Sequence, residues 1–309
     1  MPAPLFAWIG RHAAWLLFAG VLAGLAAPPL AALLWPAVLP VTFLLFVASL
    51  LRMDMGLALR HARRPVRAGV IVAALMIGVP LGMAAALRLL PLPETLALSI
   101  ILMTATSPLL SSPAFALLLG LEAELALVVV LACMSVVPLT MPALALALLG
   151  LEIEISPWQL MARLAVFVGA GFIAAGLLRW RIGPERLKSA KAGLDVFNVV
   201  LLVIFAVGVM NGVTDRLLAD PRHVLLFAAS AFLVNMGLQA IGAALFSPAG
   251  RSTALTVGLM FGYRNMALPL AVLAGAAPAD FALYVAMAQL PMYMLPVLTV
   301  RLYRRLLAR

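Results

Sequence analysis

Two short polar stretches in an otherwise apolar chain contain residues that could bind a ligand. The first, residues 104–113, has five hydroxyl side chains and two prolines. Proline lacks a backbone N–H and clashes with the preceding helical turn, so this pair leaves several carbonyl groups without helical partners. Inside a membrane such groups need side chains, water or a ligand. A helix that is only kinked, with its hydroxyls bonded to its own carbonyls, is the simpler alternative.

The second stretch, residues 258–269, places a charge in an apolar segment. It contains Gly262, Arg264, Asn265 and Pro269. An arginine at the centre of a membrane span costs about 2.5–3.5 kcal/mol, even on the scale that gives the lowest cost. Arg264 therefore either is a fixed cation that meets an anionic substrate, or has a structural role and bonds to the carbonyls of a broken helix.

We predict that polar side chains in and around these stretches bind the substrate. Asn235 and Gln239 are one helical turn apart and share a face. Ser112 and Asn265 are also candidates for an ion site. The eight predicted substrate contacts are Thr106, Ser111, Ser112, Asn235, Gln239, Arg264, Asn265 and Gln289.

The composition predicts an all-α membrane protein that crosses the bilayer many times. Of 309 residues, 66% are hydrophobic and 10% are charged, whereas soluble domains are about half apolar and a quarter charged. We find no zinc, P-loop or nucleophile motif, so we expect neither an enzyme nor a bound metal or cofactor. Ten apolar segments are predicted transmembrane helices: 13–27, 31–51, 68–90, 95–119, 124–149, 158–180, 194–214, 222–246, 253–275 and 281–300. The first two form a hairpin at Pro28 and Pro29, or one kinked segment.

The basic residues predict the orientation of these spans. The net charge is +10. With both termini in the cytoplasm, sixteen of the 21 basic residues fall on the cytoplasmic side and four outside, and Arg264 is left within the membrane. This is a strong positive-inside bias. It places the chain in a cell inner membrane, with lipid rather than nucleic acid as the partner of its positive charge. The oligomeric state cannot be read from the sequence.

Ten spans divide into two halves of five, residues 1–150 and 151–309. An odd number of spans per half gives the halves opposite orientations, as in transporters with inverted repeats. Paired prolines near the end of each half, at 138 and 142 and at 291 and 296, give weak support.

This layout resembles the bile acid:sodium symporter family. Residues 262–271 are similar to the family's ninth-span motif, Glu-x-Gly-x-Gln-Asn, and Pro138 and Pro142 are similar to its fifth-span prolines. The resemblance implies that spans four and nine are broken and cross. It also implies a panel (13–51 and 158–214) that moves against a core (68–149 and 222–300), with substrate in the cleft between them.

The departures from the motif predict how this chain differs. Met260 stands at the family's glutamate position and Arg264 at its glutamine position, and only Gly262 and Asn265 agree. We therefore predict a secondary transporter of a small organic anion that works by alternating access without sodium. A conventional sodium symporter and a membrane sensor or scaffold that does not transport are the alternatives.

Overall fold

The computed structural model describes residues 8–9, 12–53, 56, 65–149, 156–273, 277 and 280–308. The described part is 87% helical and contains no β-strand. Five of the sixteen basic residues that were counted as cytoplasmic lie outside the described residues, namely Arg11, Arg60, Arg63, Arg64 and Arg309.

Eight of the helices in the described residues precede residue 150. Prolines occupy the first turn of several of them, where the missing N–H costs nothing. The helices are α1 (Ala13–Ala26), α2 (Pro28–Leu34), α3 (Val38–Arg52), α4 (Pro65–Ala73), α5 (Val79–Leu87), α6 (Glu94–Thr104), α7 (Ser112–Leu119) and α8 (Ala123–Leu149). A 3₁₀ turn, Trp35–Ala37, joins α2 to α3, and a π-helical turn, Ala74–Gly78, joins α4 to α5.

Eight more helices follow. Ser156 caps the first of them with a capping box that includes Gln159. They are α9 (Pro157–Ile182), α10 (Pro184–Ser189), α11 (Lys191–Gly208), α12 (Val213–Ala219), α13 (Pro221–Leu245), α14 (Arg251–Gly262), α15 (Ala267–Leu273) and α16 (Phe281–Ala308).

Six helical segments of the described chain are long and apolar enough to cross a membrane. They are Pro28–Arg52, Val66–Leu87, Ala123–Leu148, Pro157–Ile182, Lys191–Ala219 and Pro221–Leu245. Phe281–Pro296 and Leu298–Ala308 add a seventh if this pair, bent by 51°, is one span. The chain is thus a helical protein with several membrane-spanning helices. The other three predicted spans correspond to the short α1 and to helices interrupted in their middle, so the count of ten stays a prediction.

The helices pack in two groups, which contact each other chiefly through α8 with α9 and through α16 with α1. In the first group, α11 packs against α1 and α3, and α3 packs against α9. In the second, α13 packs against α14 and α16, and α8 packs against α4 and α7. Residues on the outer surface are largely apolar, including Trp15, Leu33 and Trp180, as expected for side chains that face lipid.

Candidate functional site

The two polar stretches are interruptions between half-helices. Helix α6 ends at Thr104 and α7 begins at Ser112, while α14 ends at Gly262 and α15 begins at Ala267. Extended backbone begins at Tyr263, whose φ of −89° and ψ of 96° end the helix. Both breaks fall where prolines or glycine weaken the helical hydrogen bonds.

The interruptions contact each other through their backbones. Pro108 and Arg264 form an isolated antiparallel bridge. The amide of Leu109 donates to the Tyr263 carbonyl at 2.9 Å, and the amide of Asn265 donates to the Ser107 carbonyl at 2.9 Å. Unwound backbone within a membrane needs internal partners, and here each break supplies them to the other. We call this meeting of the two breaks the crossing.

Arg264 is buried at the crossing, where its side chain is 1% exposed. Nε donates to the Phe261 carbonyl at 3.1 Å, NH1 to that of Thr106 at 2.9 Å, and NH2 to that of Leu75 at 3.0 Å. These carbonyls belong to three separate segments. Among the described residues, no carboxylate pairs with Arg264. Carbonyl dipoles therefore solvate this charge, as in the structural alternative, and a substrate contact by Arg264 stays a prediction.

A local defect in the helix supplies the Leu75 carbonyl. In the π-helical turn Ala74–Gly78 the Val79 amide bonds to the Ala74 carbonyl, one residue further back than in an α-helix. The next amide in that register would serve Leu75, but Pro80 has no N–H. The Leu75 carbonyl is therefore available to Arg264.

Asn235, on α13, hydrogen-bonds to the end of α14 next to the crossing, and Gln239 bonds to Asn235. Asn235 Nδ2 donates to the Gly262 carbonyl at 2.9 Å, at the end of α14. Gln239 donates to Asn235 at 2.6 Å and accepts from the Tyr303 hydroxyl at 2.6 Å. The helices approach closely, because a Cβ at Gly262 would lie 2.5 Å from the Asn235 carbonyl.

The hydroxyls of the first break have different environments. Thr106 Oγ1 bonds back to the Met103 carbonyl at 2.7 Å, and Ser107 Oγ contacts Met134 Sδ at 3.1 Å. Ser112 Oγ is, in the described part of the chain, the one buried side-chain oxygen without a hydrogen-bond partner. It is therefore the hydroxyl most open to a further ligand.

A cavity of about 190 Å³ lies beside the crossing, between the two helix groups. Its aromatic wall is formed by Phe46, Phe115, Phe167 and Phe205. Three of the predicted substrate contacts line it, namely Ser111, Asn265 and Gln289. The structure places the other five, Thr106, Ser112, Asn235, Gln239 and Arg264, around the crossing and outside the cavity wall. Their predicted roles are not tested by this geometry.

Sequence reasoning missed the polar residues that the first helix group contributes to the cavity. Arg52, Ser49 and Asn198 line it. Arg52 Nε lies 2.6 Å from Asp195 Oδ1, and Ser49 Oγ lies 3.4 Å from Asn198 Oδ1. The two contacts are one helical turn apart on both α3 and α11. The sequence did indicate these contacts, because Asp195 and Asn198 are three residues apart and therefore lie on the same face of a helix.

The opposite end of the molecule is held together by a second set of contacts. Asp280 accepts from Arg216 at 2.7 Å, from Thr95 at 2.9 Å and bonds His223 at 3.1 Å. Asp195 and Arg216 lie near opposite ends of the segment Lys191–Ala219, about 30 Å apart at 1.5 Å per residue. The network joins α12 to α6 and to the start of α16. The cavity therefore lies toward the Arg52 end, and the Asp280 network lies at the far end.

The described residues contain no group of three or more His, Cys, Asp or Glu side chains able to hold a metal ion. The sequence matches no model of a known protein family and has no significant match among curated proteins.

Proposed function

We propose that this chain is a secondary transporter that carries a small organic anion across a cell inner membrane by alternating access, without sodium. The observation that supports it most is the cavity between the two helix groups, which adjoins two interrupted helices that cross. Broken helices that meet at a binding site are typical of transporters with inverted repeats. Under this proposal the chain is a divergent relative of the bile acid:sodium symporter family.

Arg264 supports the absence of sodium coupling. Unwound carbonyls and the C-terminal ends of half-helices are the groups that coordinate sodium in such transporters. Here the guanidinium already bonds to those of Thr106 and Phe261. An arginine stays protonated and attached, so it organises the crossing permanently. Under this proposal Arg264 replaces the sodium ion that a sodium-coupled carrier would bind and release.

The positive-inside bias gives this conformation a direction. The Arg52 end, where the cavity lies, is then cytoplasmic, and the Asp280 network closes the outside. The structure thus corresponds to an inward-facing state in the proposed cycle. The first helix group acts as the panel and the second as the core.

Ser112 is the observation that favours the alternative, a sodium-coupled symporter. Its buried hydroxyl oxygen has no partner, and such oxygens suit a hard cation. Arg264 already supplies a positive charge at the crossing, which disfavours a second cation nearby.

Proteoliposomes distinguish these functions. Vesicles loaded with an unlabelled organic anion are diluted into the same labelled anion, with sodium or potassium as the only cation. We expect counterflow at equal rates in both salts. Counterflow that requires sodium supports the symporter, and the absence of counterflow for every anion tried supports a sensor or scaffold.

A further inference from the structure

The chemistry of the cavity identifies the class of anion more closely. This inference deepens the proposed function and rests on it for the direction of transport, although binding can be tested without transport. The relevant features are the volume of the cavity, the one charged side chain among the described residues that line it, and the polar groups that both helix groups contribute.

The volume corresponds to a ligand with about one ring. A cavity of about 150 Å³ lined by apolar side chains binds benzene, and this one measures about 190 Å³. The difference leaves room for one small polar group. A steroid skeleton, with its fused rings, is far larger than that space. A bile acid would therefore have to extend beyond the cavity in this conformation.

The charge in the cavity wall selects an anion. Arg52 is the one charged side chain among the described residues that line the cavity. Its contact with Asp195 uses the donor on Nε, and a guanidinium has five N–H donors in a fork that matches a carboxylate. Asp195 does not line the cavity, and it bonds the Nε edge of the guanidinium, so it holds Arg52 in position from outside the cavity.

Polar groups on both helix groups face the same space. Ser111 and Asn265 on the core line the cavity, as does Tyr293. Asn198 faces the cavity from the panel side. A ligand that extends from Arg52 toward Asn265 would contact the panel and the core together.

We infer that the cavity binds a monocarboxylate with a single apolar ring, its carboxylate on Arg52 and its ring against Phe46 and Phe167. These two rings lie with centroids 6.0 Å apart and nearly parallel, at 17°. They form an apolar surface one to two turns deeper than Arg52. Arg52 is thus the residue that sets anion specificity, and Arg264 organises the crossing without touching the substrate.

Benzoate is a suitable probe, and titration calorimetry on the purified full chain in detergent measures its binding. We compare it with benzamide, benzylamine, acetate and glycocholate. Benzoate should bind at least about ten-fold more tightly than benzamide or benzylamine, because a hydrogen bond to a charged group contributes about ten- to hundred-fold in affinity. It should also bind more tightly than acetate, which lacks an apolar ring to bury, and than glycocholate, whose fused rings exceed the cavity volume. Benzylamine or glycocholate binding as tightly as benzoate would overturn the inference, as would no benzoate binding at all.

Variants locate the carboxylate. Arg52→Gln should weaken benzoate binding about ten- to hundred-fold, whereas Arg52→Lys retains part of it. Partial binding in Arg52→Lys, which keeps a cation at this position, shows that the loss in Arg52→Gln comes from the missing charge and not from misfolding. Arg181→Gln removes an exposed charge from the end of α9 and is the matched control. Unchanged affinity in Arg52→Gln contradicts the assignment.

Counterflow of benzoate separates this inference from the proposed function. If benzoate binds through Arg52 but does not cross the membrane, the assigned binding site is correct and the proposed transport function is wrong. If an anion crosses the membrane equally well in Arg52→Gln, the proposed transport function is correct and the assigned binding site is wrong.

Discussion

Replacement of Arg264 by alanine tests whether its guanidinium stands in for a bound cation. The side chain makes three charge-assisted hydrogen bonds to carbonyls of separate segments, together about 4–9 kcal/mol. Removing a buried charge recovers several kcal/mol of desolvation free energy. We therefore expect a net loss of about 2–4 kcal/mol in the free energy of unfolding and a fall in the apparent Tm on the order of 10 °C.

The cation dependence of that loss is the sharper measurement. Without the guanidinium, the three carbonyl oxygens surround a vacated space, and carbonyls at broken helices coordinate sodium. Fluorescence of the five tryptophans reports unfolding in sodium, N-methylglucamine or dilute guanidinium. Sodium or guanidinium should restore part of the Tm of Arg264→Ala and leave that of the native chain unchanged. Arg88→Ala, which removes an exposed arginine, is the control. A variant as stable as the native chain, or one that neither cation stabilises, would refute the reasoning.

Three further substitutions test the packing around the site. Gly171→Ala should weaken benzoate binding about three-fold or more by calorimetry, because the new Cβ would lie 2.3 Å from the ring of Phe46, which lines the cavity. Such overpacking costs about 1–3 kcal/mol. The control Gly169→Ala, whose Cβ would have nothing within 4 Å, should leave benzoate binding unchanged. Gly258→Ala should lower the free energy of unfolding by about 1–3 kcal/mol, since its Cβ would lie 2.5 Å from a backbone carbonyl. The control Gly237→Ala, in open space, should not lower the Tm, because alanine is favoured over glycine within a helix. Asp280→Asn should speed hydrogen exchange in α12 while exchange in α10 stays the same; equal rates in α12 would mean that this carboxylate does not hold the closed end.

The sequence predicted the interruptions correctly because their causes are local. Proline removes amide donors and Gly262 permits close approach whatever surrounds them, so 104–113 and 258–269 were identifiable as breaks. The burial of Arg264 followed from its place in an apolar segment. Its partners did not follow, because the Leu75 carbonyl is available only through a π-helical turn 189 residues away.

The cavity was harder to predict because its polar wall combines residues with ordinary local explanations. Arg52 looks like a topology determinant at the end of an apolar segment, and its partner Asp195 is 143 residues further along the chain. Asn198 looks like a contact between helices. Conversely, Asn235 and Gln239 share a face as predicted, but that face turns toward the end of α14.

A permanently attached cation at the crossing has a consequence for energy coupling under the proposed function. In a sodium-coupled carrier the ion must bind before the broken helices are fully satisfied, so occupancy of the site and the conformational change depend on each other. Arg264 satisfies the same carbonyls in every state, because it is neither released nor deprotonated at physiological pH. The empty protein then has an organised crossing and can reorient without cargo. We therefore expect net downhill movement of the anion as well as exchange: efflux from loaded vesicles should proceed into anion-free buffer. A strict requirement for anion on the far side would show that the substrate, rather than Arg264, completes the site that moves.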